Sequence, residues 1–320
     1  MIRKVTVENG VVEGLPAADP RITSFKGIPF AAPPVGKNRW RAPQPANNWD
    51  GILCAYKFAP ISMQHIPGED PEIIYTREWN VDTSIEMNED SLHLNVWTPA
   101  KKADEKLPVF VWYFGGGFQE GNTAEMEFDG ERIARRGIVV VTINYRLNVF
   151  GFMCHPEITA ENPEAPANFG LLDQQFGTRW VKRNIAAFGG DPDNITIGGQ
   201  SAGGGSVMDH VTSPQNEGLF QKAIVDSGLT MTAYRLNGLR LPRSSADQYG
   251  AGARVATQDL QKGDLVFFAI NRRDKPSHVG LYVGDGRFIH APGTGKVVRL
   301  DDLTNDYYTR HFLAARTYIE

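Results

Sequence analysis

Five short apolar runs, at residues 92–97, 109–113, 138–145, 195–197 and 223–225, recur along the first two thirds of the chain with helix-compatible stretches between them. Their length and their content of Val, Ile, Leu and aromatic residues mark them as buried strands. One connecting stretch is legible in detail. Leu172, Phe176, Trp180, Ile185 and Phe188 fall near a 3.6-residue period, with Asn168 ahead as a cap and Gly189 and Gly190 behind as a stop. Strands alternating with such helices predict an α/β fold of the doubly wound kind, with a mixed or largely parallel sheet covered on its faces. Ahead of it, Val5, Val7, Val11 and Val12 around Asn9 and Gly10 predict a hairpin, followed by an irregular loop through Pro29, Pro33, Pro34 and Pro43.

Beyond Gly228 the texture changes. Runs at 266–269, 279–283, 288–289 and 297–300 are short and broken by turn signals at 284–286 and 293–295. They predict an antiparallel meander, which does not continue a parallel sheet. The boundary is expected between Asp226 and Thr230, giving parts of 1–228 and 229–320. Charge changes across the same point: residues 229–320 hold 13 basic and 9 acidic side chains, a net +4, and the remaining 20 basic and 28 acidic leave −8 in the first part.

No long run of one charge sign occurs in a chain of net charge −4, so nucleic acid is not an expected partner. Cys54 and Cys154 make no disulfide framework and show no metal-ligand spacing; reduced, buried thiols are expected, with no metal and no cofactor. Residues 1–16 lack the apolar core of a secretory leader, and no run approaches the ~20 apolar residues of a membrane span. As written, the sequence suggests a cytoplasmic chain without a membrane span.

Gly199, Gln200, Ser201, Ala202 and Gly203 form G-x-S-x-G directly after the strand at 195–197 and before a helix through Val207 and Met208. A strand-to-helix turn this tight excludes bulk on either side of the serine and lifts its hydroxyl out at the carboxyl edge of the sheet. Upstream, Gly115, Gly116 and Gly117 follow the strand ending at Tyr113. That second loop can aim backbone N–H groups at an oxyanion, together with the N–H of Ala202.

These stretches resemble the type-B carboxylesterase family, over about 228 residues. The resemblance is carried by FKGIPFAAPPVG at 25–36, EDSLHLNVWTP at 89–99, GGGF at 115–118, NYRLNVFG at 144–151 and NIAAFGGDPDNITIGGQSAGG at 184–204. It implies an α/β-hydrolase fold and a small-molecule ester substrate. It makes Ser201 the acylated nucleophile, and Gly116, Gly117 and Ala202 the oxyanion donors. Phe114 stands where relatives often carry His, and Ser62 and Ser91 replace a cysteine pair found in many members. The family's catalytic acid and histidine lie beyond the strand at 223–225, where this chain leaves the pattern. A serine hydroxyl without a base is a poor nucleophile, so turnover is expected to be impaired unless a histidine of the C-terminal part reaches Ser201. His65, His93, His155 and His210 read as surface or packing residues.

Residues 229–320 resemble the NlpC-type cell-wall cysteine peptidases, a small antiparallel α+β module of papain-like kind. The matching stretches are LPRSSADQ at 241–248, LQKGDLVFF at 260–268, SHVGLYVG at 277–284, RFIHA at 287–291 and GKVVRLDDL at 295–303. The resemblance implies His278 as general base, His290 as the group orienting it, and peptidoglycan fragments as partners. The two positions suit this: His278 opens a strand and His290 ends the next across a tight turn, so the imidazoles can approach. The family's cysteine, carried in Asp-Cys-Ser-Gly, is absent; Asp226, Ser227 and Gly228 run straight through, leaving Ser227 in its place. The expectation is therefore a truncated α/β-hydrolase sheet followed by this module, as in a chimera of two partial domains.

Overall fold

The computed structural model of the chain describes residues 1–65, 84–165, 167–227, 245–270, 275–290 and 299–318. The predicted hairpin is β1 (Lys4–Val7) against β2 (Gly10–Glu13), and β2 is also paired in parallel with β5 (Ile52–Cys54). Val5, Val7 and Val12 turn inward and close the sheet against the main core.

Among the described residues the predicted central sheet has seven strands. They are β3 (Leu15–Pro16), β4 (Thr23–Pro29), β6 (His93–Thr98), β7 (Leu107–Tyr113), β8 (Val139–Ile143), β9 (Gly190–Gln200) and β10 (Lys222–Asp226), in spatial order β10-β9-β7-β8-β6-β4-β3. The four strands from β10 to β8 run parallel, and β6, β4 and β3 add antiparallel pairs, so the sheet is mixed. All five residues of β8 are buried, as expected of a strand covered on both faces.

Helix α1 (Phe169–Asn184) lays Phe169, Trp180 and Val181 into that core. Its stop is as expected: the helix tightens to a 3-10 turn at Ile185–Phe188 and ends on Gly189 at φ 80°. Its start differs from expectation. Asn168 precedes the helix in the left-handed region at φ 59° and its side chain makes no cap bond. Arg146, after β8, is tied to α1 by a buried ion pair, its Nη2 and Nε lying 2.7 and 2.8 Å from the two carboxylate oxygens of Asp173. This bidentate pair fixes how the loop leaving the sheet meets the helix.

Among the described residues the C-terminal meander is a separate six-stranded antiparallel sheet. It comprises β11 (Ala253–Val255), β12 (Leu265–Phe268), β13 (His278–Gly284), β14 (Arg287–His290), β15 (Arg299–Asp302) and β16 (Phe312–Thr317), ordered β11-β16-β12-β13-β14-β15. The run predicted at 297–300 is observed as β15; residues 297 and 298 and the turn at 293–295 lie outside the described residues. The two faces of this sheet enter different cores. Leu265, Phe267 and Leu281 belong to the cluster that contains Val207, Met208 and Val225, whereas Val266, Phe268 and Phe288 form a second cluster with Tyr308.

One expectation about the thiols is overturned: Cys54 and Cys154 are free and exposed, not buried. Cys54 ends an edge strand and Cys154 sits in the loop before a short helix, where neither has a core to enter. No helix among the described residues is long and apolar enough to cross a membrane.

Candidate active site

Ser201 lies between β9 and helix α2 (Ala202–Thr212), with φ 56° and ψ −121°, a conformation that side-chain-bearing residues rarely adopt. Its N–H donates to the Asp226 carbonyl at 2.8 Å and its carbonyl accepts from the Gly205 N–H at 2.9 Å, so β10 and the first turn of α2 hold the bend from both sides. The flanking glycines are required by close approach. A Cβ on Gly199 would fall 2.3 Å from the Gly203 carbonyl oxygen, and one on Gly203 would fall 2.1 Å from that of Tyr113.

Tyr113 is opposite Gly199 in the register of β7 and β9, which delivers the loop after β7 to the bend. A Cβ on Gly115 would stand 3.1 Å from Ser201 Cβ, so the glycine triplet lies directly against the serine. Gly116 and Gly117 take φ 101° and 65°, and the Gly116 carbonyl closes the turn by accepting from the N–H groups of Gln119 and Glu120. Gln64 brackets the far side of the loop, its amide donating to the Gly121 carbonyl and its Oε1 accepting from the Gly121 N–H. Phe114 stacks on Tyr145 with centroids 4.3 Å apart, and the Tyr145 hydroxyl donates to the Phe114 carbonyl, anchoring the root of the loop.

The sequence model of the carboxylesterase family matches residues 2–268. The chain belongs to the carboxylesterase family. Over 227 residues it is 44% identical to the cholinesterase of the mouse, Mus musculus, a stretch that makes up 70% of this chain and 36% of that protein. The chain therefore spans about a third of the length of that relative. Membership carries the α/β-hydrolase fold, with which the mixed sheet and covering helices agree. The buried hydroxyls of Ser62 and Ser91, where the resemblance implied a cysteine pair in many members, lie 3.0 Å apart and share a hydrogen bond.

Among the described residues no hydrogen bond joins a histidine of the esterase part to Ser201. His210, on α2, is buried with Nε2 3.0 Å from Gln174 Oε1 and Nδ1 3.1 Å from Asn216 Nδ2. Because the amide nitrogen of Asn216 donates, Nδ1 is the acceptor and Nε2 carries the proton. Burial pushes the ring down to about 4, so it is a neutral packing residue. His93 opens β6, three strand spacings from β9, or roughly 14 Å at the usual separation of neighbouring strands. His155 accepts from the Glu157 N–H in its own helix, and His65 is exposed beside Gln64.

The structure does bring His278 and His290 together, with Nε2 of the first 2.6 Å from Nδ1 of the second. His290 is fully buried, and its Nε2 lies 2.8 Å from Asp301 Oδ2. The carboxylate also accepts from the Tyr308 hydroxyl at 2.7 Å and from Arg299 Nε at 2.8 Å. Asp301 as acceptor fixes the His290 proton on Nε2, leaves Nδ1 to accept from His278 Nε2, and so leaves a lone pair on His278 Nδ1. Burial, reinforced by the neighbouring His290, lowers His278 to about 4; burial also lowers His290, against the pull of Asp301.

Sequence reasoning missed Asp301, Tyr308 and Arg299. The alternation Arg299, Leu300, Asp301 was the available signal, since it sets two charges on one face of a strand beside a buried imidazole.

Among the described residues no hydrogen bond joins His278 or His290 to Ser201. Along β13, Val279 and Leu281 face the main core, which also holds Val207 and Met208 of α2 and Val225 of β10, while His278 shares the other face with Tyr282. His290 stacks against Phe288 and Tyr308 of the second core. The strand period of two thus turns both imidazoles away from the esterase core.

Proposed function

We propose that this chain carries the acylation half of a serine hydrolase acting on carboxylic esters. Ser201 is the nucleophile, its Oγ attacking the acyl carbon, and the N–H groups of Gly116, Gly117 and Ala202 receive the charge that develops on the carbonyl oxygen. Gly199, Gln200 and Gly203 form the elbow that presents it. The observation that carries the reading is the strained bend at Ser201 set against the glycine triplet. The ester is a small molecule, as family membership suggests.

Turnover is impaired because the proton leaving Oγ finds no imidazole among the described residues of the esterase part; the hole and the helix N-terminus stabilise charge without accepting the proton. A fluorophosphonate probe, which forms an Oγ–P bond with loss of fluoride, and p-nitrophenyl acetate test both halves of the claim. Weak labelling and slow acetate release, both lost in Ser201→Ala, are expected; wild-type labelling no greater than that of the variant removes the nucleophile.

A second reading is favoured by the Asp301–His290–His278 chain, an oriented base in search of a nucleophile. On it, residues 229–320 are an NlpC-type peptidase-like module, joined to the esterase part near Gly228, that acts on or binds peptidoglycan stem peptides. Ser227 in place of the thiol makes it slow or inert. Muropeptide cleavage that disappears in His278→Ala supports it; no cleavage by wild type, together with no muropeptide binding, disposes of it.

A further inference from the structure

β10 is the terminal strand of the seven-stranded sheet, and among the described residues no strand pairs with its outer edge. Its residues alternate sharply: Lys222, Ile224 and Asp226 are exposed, Val225 is buried and Ala223 is intermediate. Val225 and Ala223 take the side of the main core, so the opposite side presents a stripe of cation, apolar residue and anion, with Ile224 38% exposed. Among the described residues the charged ends are held by neutral partners. Lys222 Nζ donates to Asn194 Oδ1 at 2.6 Å, and Asp226 Oδ1 accepts from the Ser227 hydroxyl at 3.1 Å. An unpaired edge carrying an exposed β-branched residue is a template for another strand, which chains usually blunt.

We propose that this edge docks a second copy of the same chain, the two β10 strands pairing antiparallel about a two-fold axis at Ile224. That axis sets Lys222 opposite the partner subunit's Asp226, Ala223 opposite the partner's Val225, and Ile224 against the partner's Ile224. The stripe is self-complementary: two ion pairs flank one apolar contact, all on the open face, as a two-fold interface demands. Parallel pairing would instead set like charges side by side, and a slip by one residue would turn the stripe to the wrong face.

The test is the mass of the full chain in solution by size-exclusion chromatography with light scattering, over a range of micromolar concentrations. Twice the 35.4 kDa chain mass is expected at the upper end. Lys222→Glu and Asp226→Lys each place like charges across the pair and should weaken the dimer about tenfold or more, while the double variant restores opposite charges and dimerisation. A separate check needs no charge reversal: Ile224→Cys, with Cys54→Ser and Cys154→Ser, should form an intersubunit disulfide on mild oxidation, seen as a doubled band without reductant. A wild type that stays monomeric throughout overturns the proposal. So does a dimer indifferent to both single reversals, or one whose Ile224→Cys variant never cross-links.

Discussion

At Ser201 the backbone adopts a rarely populated conformation because three neighbours leave no alternative: Gly199 against Gly203, Gly203 against Tyr113, and the Ser201 N–H on Asp226. Such a bend costs about 1–3 kcal/mol and persists only where its surroundings over-determine it. Gly203→Ala would drive a methyl group into the Tyr113 carbonyl. It should cost about 1–3 kcal/mol more, read as a lower urea midpoint, and should reduce fluorophosphonate labelling in the protein that remains folded. Six residues on, Asp209 is buried enough to push its carboxyl from an ordinary 3.8 up to about 8, and its Oδ2 has no hydrogen-bond partner among the described residues. The folded state therefore holds a proton that the unfolded state has released. The stabilisation this gives is complete below pH 4 and lost as pH rises through about 8. Asp209→Asn should stabilise by about 2 kcal/mol at pH 8 and by progressively less towards pH 4, measured by urea unfolding across that range. Its neighbour His210 works in the opposite sense, since burial lowers it from 6.5 to about 4 and its stabilisation is lost as pH falls through that window.

For the elements, a period of two decides more than composition does. Adjacent residues of β12 enter different cores, Phe267 the one shared with the esterase part and Phe268 the one beneath the imidazoles. Phe267→Ala should cost about 3–5 kcal/mol while leaving the ring resonances of His278 and His290 in place. Phe268→Ala, which removes a ring 6.0 Å from that of His278, should shift those resonances. Proton and nitrogen NMR of the two imidazoles, beside thermal unfolding, separates the two effects. The same period was legible in advance for His278 and His290, which is why their approach was foreseen from sequence. Which face of their sheet would meet the esterase core was not, because that depends on packing between parts whose contacts are distant in sequence.

Over the whole molecule, the apolar cluster runs from the seven-stranded sheet through Val225 to Leu265, Phe267 and Leu281 without a break. Two parts sharing one core lose it together. Differential scanning calorimetry should show one transition with equal calorimetric and van't Hoff enthalpies; two resolved transitions would mean that the parts unfold independently. The runs up to residue 226 join a mixed sheet and those from residue 253 an antiparallel one, yet nothing in their texture hinted that the second sheet would lend a face to the first core.

By itself, the sequence determined what is local in the chain: the strand and helix periods, the glycines that a sharp bend must have, the triplet behind the next strand, and the facing imidazoles across a hairpin turn. These follow from spacing alone, since neighbours in the chain are neighbours in space. Tertiary structure decided the rest. It showed His210 locked between Gln174 and Asn216, the exposure of both thiols, Asp301 and Tyr308 clamping His290, and the two imidazoles turned away from the esterase core. Each depends on which distant surfaces bury one another, and burial is a property of the packed whole that no single segment encodes.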